Sequence, residues 1–286
     1  ANVAVDEKAF GLGAAASHEM DVEGSSGGTQ ADQSDRAVAI RYLKADNPEQ
    51  GQVRTVISFN KGATWNYIPA PAAEVGSTGC QADSCWLHLH DLTEMSRFAP
   101  VYSYRNAYGI LMASGNVGAH LSRDEKGPVK TYFSRDAGLT WVAARDGNYI
   151  YEFGNHGGLM VMVDYSQRTK EILFSWDEGA TWSSREFTTT PMKVTNVIIE
   201  PEARSSKFVL YGLNGNAQGL VHLLNFSGIH ERRCKGESLA DTKDSDYETW
   251  IPSDGSQRKR CLMGFQVAYV RKKPLLECSL AEDFTR

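Results

Sequence analysis

Carboxylate and imidazole side chains recur in this chain of 286 residues at spacings that would suit acid–base or metal chemistry. Asp136 and Asp177 occupy the same position in two nearly identical octets, and paired carboxylates are what glycoside hydrolysis requires. His88 and His90 take alternate positions of an expected strand, so both rings share one face and could bind a metal ion.

Neither set predicts a reactive centre. The two aspartates are a whole repeat unit apart, so we do not expect them to act on one substrate. No carboxylate or third histidine lies at ligand spacing beside His88 and His90, and hydrogen-bonded structural histidines are expected instead. His156 lies in a Gly-rich turn, where a backbone partner is expected. The sequence therefore predicts no catalytic residue, no cofactor and no metal site.

The octets are the strongest signal in the sequence. Box 1 (residues 58–65), box 2 (134–141) and box 3 (175–182) follow the pattern S-x-[DN]-x-G-x-T-W between short apolar runs. An Asp or Asn side chain accepts backbone hydrogen bonds, Gly supplies positive φ, and Trp offers a large apolar surface. We therefore expect the three box tryptophans to be largely buried between blades or strands. This is the Asp-box, a turn motif of β-propellers, and we expect it to hold hairpins. Its positions are Ser58, Asn60, Gly62, Trp65, Ser134, Asp136, Gly138, Trp141, Ser175, Asp177, Gly179 and Trp182.

Asp-boxes also occur in sialidases, so an Asp-box glycoside hydrolase is one alternative. A sialidase needs a tyrosine nucleophile, a supporting carboxylate and a cluster of arginines, and no spacing in this chain singles out such a set. A soluble propeller that binds protein or carbohydrate is the other alternative.

Charge and composition limit the classes of molecule that the chain could bind. The net charge of −5 and pI near 5.8 argue against a nucleic acid or a polybasic membrane contact. The basic clusters at 258–260 and 271–273 are expected on a solvated strand edge. No apolar stretch approaches the roughly 20 residues of a membrane-spanning helix, and no signal peptide is recognisable. Because the chain begins with Ala, we expect a fragment of a longer protein.

The five cysteines fit no zinc-site spacing. Cys80 and Cys85 enclose a turn-forming run that could close a small disulfide loop in an oxidising compartment. The odd total leaves one cysteine without a partner in this chain. Asn225 starts an Asn-Phe-Ser glycosylation sequon, which agrees with a lumenal or extracellular location.

Strand signals predict an all-β fold. Residues 37–228 are expected to form about three to four propeller blades, with buried inner strands at 109–115 and 159–163. Residues 1–36 are expected to be a flexible lead-in or a remnant of an earlier blade. Residues 229–286 are expected to be a small disulfide-rich module with little core of its own.

Together these motifs resemble the sortilin family of sorting receptors, which carries the vacuolar-protein-sorting-ten domain. The resemblance rests on the three boxes, the two-cysteine loop with the C-x-L-H-L-H run at 85–90, and the G-N-V-G segment at 115–118. It also rests on the E-F-G-[DN]-x-G run at 152–157 and on Y-x-x-W-x-P at 247–252. It extends from about residue 36 to residue 286.

The resemblance implies a ten-bladed propeller packed against two cysteine-rich modules, with a single membrane span and a cytosolic tail. Such type I receptors carry peptides, propeptides, lumenal hydrolases or secretory proteins between Golgi, endosomes or vacuole, and the cell surface. This chain would hold the last blades and the first part of the first module, and would touch the membrane only through a span absent from it. Ligand-contacting residues are not assigned, because the earlier blades are absent.

The same resemblance implies a disulfide pairing. The first and third cysteines of the module would pair as Cys234–Cys278, and Cys261 would pair beyond Arg286, so Cys261 is unpaired in this chain. A Cys234–Cys261 pair, which would leave Cys278 free, stays open as the alternative. Asn60 in place of the usual Asp is expected to weaken the box 1 turn without altering the fold.

Overall fold

A computed structural model describes residues 4–8, 28–33, 36–44, 53–60, 63–76, 84–90, 101–104, 106–122, 128–229, 232–253, 255 and 266–280. Over these residues the fold is all-β, with two short 3-10 helices, η1 (Asn155–Gly157) and η2 (Glu237–Leu239). The strands are β1 (Ala4–Lys8), β2 (Gly28–Gln33), β3 (Arg36–Lys44), β4 (Val53–Ser58), β5 (Asn66–Pro69), β6 (Trp86–Leu89), β7 (Tyr102–Ser103), β8 (Leu111–Gly118), β9 (Lys130–Ser134), β10 (Val142–Asp146), β11 (Tyr149–Gly154), β12 (Leu159–Asp164), β13 (Glu171–Ser175), β14 (Ser183–Glu186), β15 (Lys193–Ile198), β16 (Lys207–Leu213), β17 (Gly219–Asn225), β18 (Tyr247–Trp250) and β19 (Tyr269–Lys272).

Four antiparallel units of four strands follow one another along the chain. Blade 1 is β2–β5, blade 2 is β6 with β8–β10, blade 3 is β11–β14, and blade 4 is β15–β17 with β1 on its edge. The short β5–β6 ladder joins blades 1 and 2 into one sheet, and β7 pairs with β8. Each box closes the hairpin between the last two strands of its blade. The predicted all-β fold with about three to four blades is confirmed.

Blade 3 is buried on both of its faces. Met160 and Met162 of β12 belong to the core shared with blade 2, whereas Val161 and Val163 belong to the core shared with blade 4. All four side chains are fully buried. Successive side chains of a strand point to opposite faces, so a continuous apolar run is what a strand covered on both sides requires.

The box tryptophans differ in burial. Trp141 is buried in the core between blades 1 and 2, and its Nε1 donates to the Gly138 carbonyl at 2.9 Å. Trp182 reaches only the rim of the core between blades 2 and 3 and is half-buried. Trp65 is also half-buried. Trp141 and Trp182 pack toward the preceding blade, and no blade is described before blade 1, which carries Trp65. The expectation that all three are largely buried therefore holds for Trp141 alone.

The basic cluster at 271–273 is not a solvated strand edge, and that expectation was wrong. Lys272 is 1% exposed, and its Nζ donates to the Trp176 carbonyl at 2.6 Å. Arg271 is largely buried, and its Nη1 donates to the Arg135 carbonyl at 2.6 Å. Hydrogen bonds to these carbonyls offset the cost of removing the cations from water. The second basic cluster, at 258–260, lies outside the described residues.

The C-terminal part is stapled by a disulfide between Cys234 and Cys278, whose Cα atoms are 5.0 Å apart. This is the pairing that the family resemblance implies. Cys85 is also disulfide-bonded, whereas Cys80, Cys261 and the box 1 glycine Gly62 lie outside the described residues. Within the described segments, no helix is long and apolar enough to cross a membrane.

Replacing Trp141 by Ala should lower the free energy of unfolding by about 3–5 kcal/mol, because it removes a large aromatic ring from a packed core. Urea denaturation measures this loss. The matched control is Trp65→Ala, where a half-buried ring should cost clearly less. Equal losses in the two variants would contradict the different burial of the two tryptophans.

Alkylation of the folded, unreduced chain should label Cys261 and leave Cys85, Cys234 and Cys278 unmodified, because those three are held in disulfides. Peptide mapping by mass spectrometry identifies the labelled cysteine. A label on Cys278 with Cys261 protected would show that the alternative Cys234–Cys261 pair forms instead.

Candidate functional site

The third residue of each box binds the turn that follows it. In box 2, Oδ1 of Asp136 accepts from the Thr140 amide and the Ser134 hydroxyl, both at 2.8 Å. Oδ2 accepts from the Thr140 hydroxyl at 2.5 Å. The Ser134 hydroxyl oxygen also accepts the Gly138 amide at 2.9 Å. Both carboxylate oxygens are therefore engaged within the hairpin, as a turn anchor requires.

Box 3 repeats this network in blade 3. Asp177 accepts from the Thr181 amide at 2.8 Å, and from the Thr181 and Ser175 hydroxyls at 2.7 Å each. Burial by itself would raise the pKa of Asp177, but these hydrogen bonds outweigh it and hold that pKa below its usual value. A low pKa keeps Asp177 an ionised acceptor, which is the opposite of what a general acid needs.

Box 1 uses an amide in place of the carboxylate. Asn60 Oδ1 accepts from the Thr64 amide at 2.8 Å and from the Ser58 hydroxyl at 3.0 Å. Its Nδ2 donates to the Thr64 hydroxyl at 2.8 Å, so this single bond runs in the reverse direction. The turn therefore forms with Asn, as expected, although with neutral hydrogen bonds, which are weaker than charge-assisted ones.

The box turn places two residues in the left-handed region. Gly138 and Gly179 have φ of 89° and 88°, and the residues before them, Ala137 and Glu178, have φ of 60° and 56°. Only the glycines were expected there. Glu178 is 4% exposed and accepts from Arg135 Nε of box 2 at 2.7 Å. Box 2 and box 3 are thus linked directly by an ion pair between neighbouring blades.

His88 and His90 are buried in the protein interior. His88 Nδ1 accepts from the Thr55 amide at 3.1 Å, and Nε2 lies 3.1 Å from the Gly118 carbonyl. Both rings are fully buried, and burial lowers the pKa of His88 and of His90 to about 4. His156 donates its backbone N–H to the Ala203 carbonyl at 2.8 Å. Across the part of the chain that the structure describes, no three metal-ligating side chains cluster.

A buried carboxyl joins blade 2 to blade 3. Glu152 of β11 is 8% exposed, and its Oε1 accepts from the Tyr102 hydroxyl and from the Phe153 amide, both at 2.8 Å. The Tyr102 ring stacks on Phe153 at 5.4 Å between centroids. Burial raises the pKa of Glu152 to about 7, because desolvation of the charged form outweighs the two hydrogen bonds.

A polar groove of about 260 Å³ opens beside box 3, where blade 3 meets the C-terminal part. Exposed Arg185 of β14 and exposed Glu277 bring opposite charges to its lining, which also includes buried Trp176. The sequence did not single out these residues. Asn225, the sequon residue, is the last residue of β17, and its Oδ1 accepts from the Ser227 amide at 2.9 Å.

Several buried polar contacts were missed from the sequence. Besides Glu152, they include Asn155, whose side chain exchanges two hydrogen bonds with the backbone of Leu280 at 2.9 and 2.7 Å. Asn155 and Glu152 both lie in the E-F-G-[DN]-x-G run, which contributes to the family resemblance. The carboxyl and amide side chains in that Gly-rich run are the sequence signal that could have predicted these buried contacts.

Comparison with known proteins gives two family matches. A family model described as sortilin, neurotensin receptor 3, matches residues 29–197. A second, described as the C-terminal part of sortilin, neurotensin receptor 3, matches residues 199–286.

Individual relatives of the chain support the same family assignment. Vacuolar protein sorting/targeting protein 10 of Clavispora lusitaniae is 34% identical over 242 residues, which cover 82% of this chain and 16% of the relative. The protein of the same name in Coccidioides posadasii is 35% identical over 247 residues, with the same two coverages. The chain thus spans about a sixth of the length of these relatives.

Solved structures that are similar include two complexes of Trypanosoma rangeli sialidase. One, with 2,3-difluorosialic acid, has a TM-score of 0.31 and 10% identity over 66% of this chain and 29% of that chain. The other, with the inhibitor DANA, has a TM-score of 0.30 and 13% identity over 68% and 30%. Similarity at this level supports no inference about activity.

Glu152→Gln should remove a pH dependence of stability. Between the ordinary pKa of 4.5 and about 7, the folded chain keeps a proton on Glu152 that the unfolded chain has lost. The contribution of Glu152 to stability is therefore fully present below the unfolded pKa and is lost as pH rises through this window, by on the order of 3 kcal/mol in total. Gln at this position is neutral, and its side-chain oxygen can accept the same two hydrogen bonds, from Tyr102 and Phe153.

The measurement is the free energy of unfolding at pH 5 and pH 8 in wild type and variant. The wild type should lose more stability than Glu152→Gln over this interval, because other titrating groups contribute equally to both. An identical loss in the two proteins would contradict a protonated, buried Glu152.

Proposed function

This chain belongs to the sortilin family, and from that membership we propose that it is a lumenal, ligand-binding region of a type I sorting receptor and not an enzyme. The relatives are named vacuolar protein sorting/targeting protein 10. The proposed ligands are proteins or peptides, such as propeptides, lumenal hydrolases or secretory proteins.

The observation that carries the proposal is that one chain matches the family over both its blades and its C-terminal part. The matches at 29–197 and 199–286 adjoin each other, and the identity of 34% extends over 82% of the chain. A shared turn motif alone would match only the boxes. Similarity across the whole region supports a shared role.

The geometry of the boxes supports binding over catalysis. The carboxylates of Asp136 and Asp177 lie in different blades, and each accepts three hydrogen bonds inside its own hairpin. A carboxylate that anchors a turn has no free oxygen directed at a substrate. The groove that Arg185 and Glu277 line is instead polar and carries one positive and one negative charge. Such a surface suits a peptide better than an apolar ligand.

The proposal includes a location and a domain division. The disulfides and the Asn225 sequon support the lumen of Golgi or endosomes, or the cell surface. A membrane span outside this chain would anchor the receptor. We divide the chain into residues 1–36, expected as a flexible lead-in or a remnant of an earlier blade, the last blades at 37–228, and the start of the cysteine-rich module at 229–286. Residues 1–36 are not separate from the blades, because they supply β1 to blade 4 and β2 to blade 1.

A chimera tests the receptor function. This chain replaces the matching stretch of the Clavispora lusitaniae relative, and the secreted fraction of a soluble vacuolar hydrolase is measured in cells that lack the native protein. We expect the hydrolase to stay inside the cell. A chimera that reaches internal membranes while the hydrolase is secreted as in the deletion strain would contradict the proposal.

The matched variant is Asp136→Asn in the same chimera. Asn60 shows that Asn sustains the box turn, so this variant should sort the hydrolase like the unmodified chimera. A carboxylate used in chemistry would not tolerate the change. The purified chain is also assayed with fluorogenic sialosides, where turnover that survives purification and is lost in Asp136→Asn would favour the hydrolase alternative.

A further inference from the structure

The hairpin of β18 and β19 places two consecutive cations on opposite sides of one strand. Arg271 and Lys272 are neighbours in β19, and successive strand residues point in opposite directions. Arg271 reaches blade 2, and Lys272 reaches blade 3. The hairpin therefore contacts two successive blades at once.

Contacts within the β18–β19 hairpin orient the Arg271 side chain toward blade 2. Its Nε donates to Glu248 at 2.9 Å, and its guanidinium lies 4.5 Å from the centre of the Trp250 ring. Its Nη1 then donates to the Arg135 carbonyl at 2.6 Å and the Tyr108 carbonyl at 3.3 Å. A planar guanidinium that is stacked and ion-paired loses little further freedom when it binds these carbonyls.

Blade 2 leaves room for this contact at a glycine. Gly109 has φ of +79°, and a Cβ there would lie 2.7 Å from the Arg135 carbonyl oxygen and 2.9 Å from Arg271 Nη1. It would also lie 3.0 Å from the Trp250 ring. The backbone of blade 2 can approach the hairpin this closely only without a side chain at this position.

Lys272 binds blade 3 from a fully enclosed position. Its Nζ donates to the Trp176 carbonyl at 2.6 Å and to the Gly158 carbonyl at 3.4 Å. The side chain is 1% exposed. A buried ammonium without acceptors would cost several kcal/mol, so these carbonyls are a condition for Lys272 to be there.

The two cations bind the same position of two boxes. Arg135 is the second residue of box 2, and Trp176 is the second residue of box 3. Each follows the last residue of its strand, Ser134 of β9 and Ser175 of β13, so its carbonyl lies outside the strand ladder. A carbonyl at such a place needs a donor from elsewhere when it is covered.

We propose that the second-position carbonyls of boxes 2 and 3 form a docking surface for the β18–β19 hairpin, which clamps blades 2 and 3 through Arg271 and Lys272. The Asn155–Leu280 hydrogen bonds fasten the same C-terminal part to blade 3 at a third point. The disulfide to Cys234 ties that point back to the chain that leaves blade 4. The clamp acts on the packing of blades 2 and 3, and this packing does not depend on bound cargo.

The test is amide hydrogen exchange of the full chain, followed by mass spectrometry, in Arg271→Met and Lys272→Met. Arg271→Met should speed exchange in the box 2 region, and Lys272→Met in the box 3 region, each by about tenfold or more. The matched control is Lys273→Met. The Nζ of Lys273 donates to the Thr242 and Ser245 carbonyls of the C-terminal part and not to a box, so exchange in both boxes should stay as in wild type.

Two results would overturn the clamp. One is unchanged exchange in both boxes in the Arg271 and Lys272 variants. The other is an equal increase in both boxes from either variant or from Lys273→Met, because the two cations would then have no separate targets.

A second measurement needs no variant. Brief acetylation of the native chain should modify Lys273 and spare Lys272, since the ammonium of Lys272 is enclosed by blade 3. Peptide mapping compares the two neighbouring lysines directly. Equal modification of both would show that Lys272 is not docked in the folded chain.

Discussion

The hydrogen bonds of the third box residue are the constraint on which the rest of this structure depends. Asp136, Asp177 and Asn60 each tie the amide and hydroxyl of a Thr four residues later to a Ser two residues earlier. This closes each hairpin at one point and so fixes the register of the strands on either side. The register in turn decides which side chains enter which core.

The consequence is visible in the stacking of the blades. Met160 and Val161 lie on β12, which pairs with β13 of the box 3 hairpin, and they point to opposite cores, so blade 3 is covered on both faces. The turn also exposes a carbonyl at the second box position, outside the ladder. Boxes 2 and 3 bind each other through Arg135 and Glu178 and are bound together by the C-terminal hairpin. One turn motif thus serves folding, blade packing and attachment of the next segment.

Local pattern predicted the parts of the fold that local chemistry determines. The boxes, the buried run at β12 and the strand order within a blade follow from residue types a few positions apart. The burial of Arg271 and Lys272 did not follow, because their acceptors lie 136 and 96 residues away. Read locally, a run of three cations predicts solvent exposure. Glu152 was missed for the same reason, since its partner Tyr102 is 50 residues away on β7, which pairs with β8 of blade 2. The groove beside box 3 exists only once blade 3 and the C-terminal part are in contact.

The hydrogen bonds of Asp136 and Asp177 make these box aspartates turn anchors. The most direct test is amide exchange at Thr140, measured by NMR in wild type, Asp136→Ala and Asp136→Asn. We expect slow exchange in wild type, fast exchange in the Ala variant, and slow exchange retained with Asn, as the geometry of Asn60 implies. Exchange at Thr140 that is equally slow in all three proteins would contradict this anchoring role, because the Asp136 side chain would then not hold the turn.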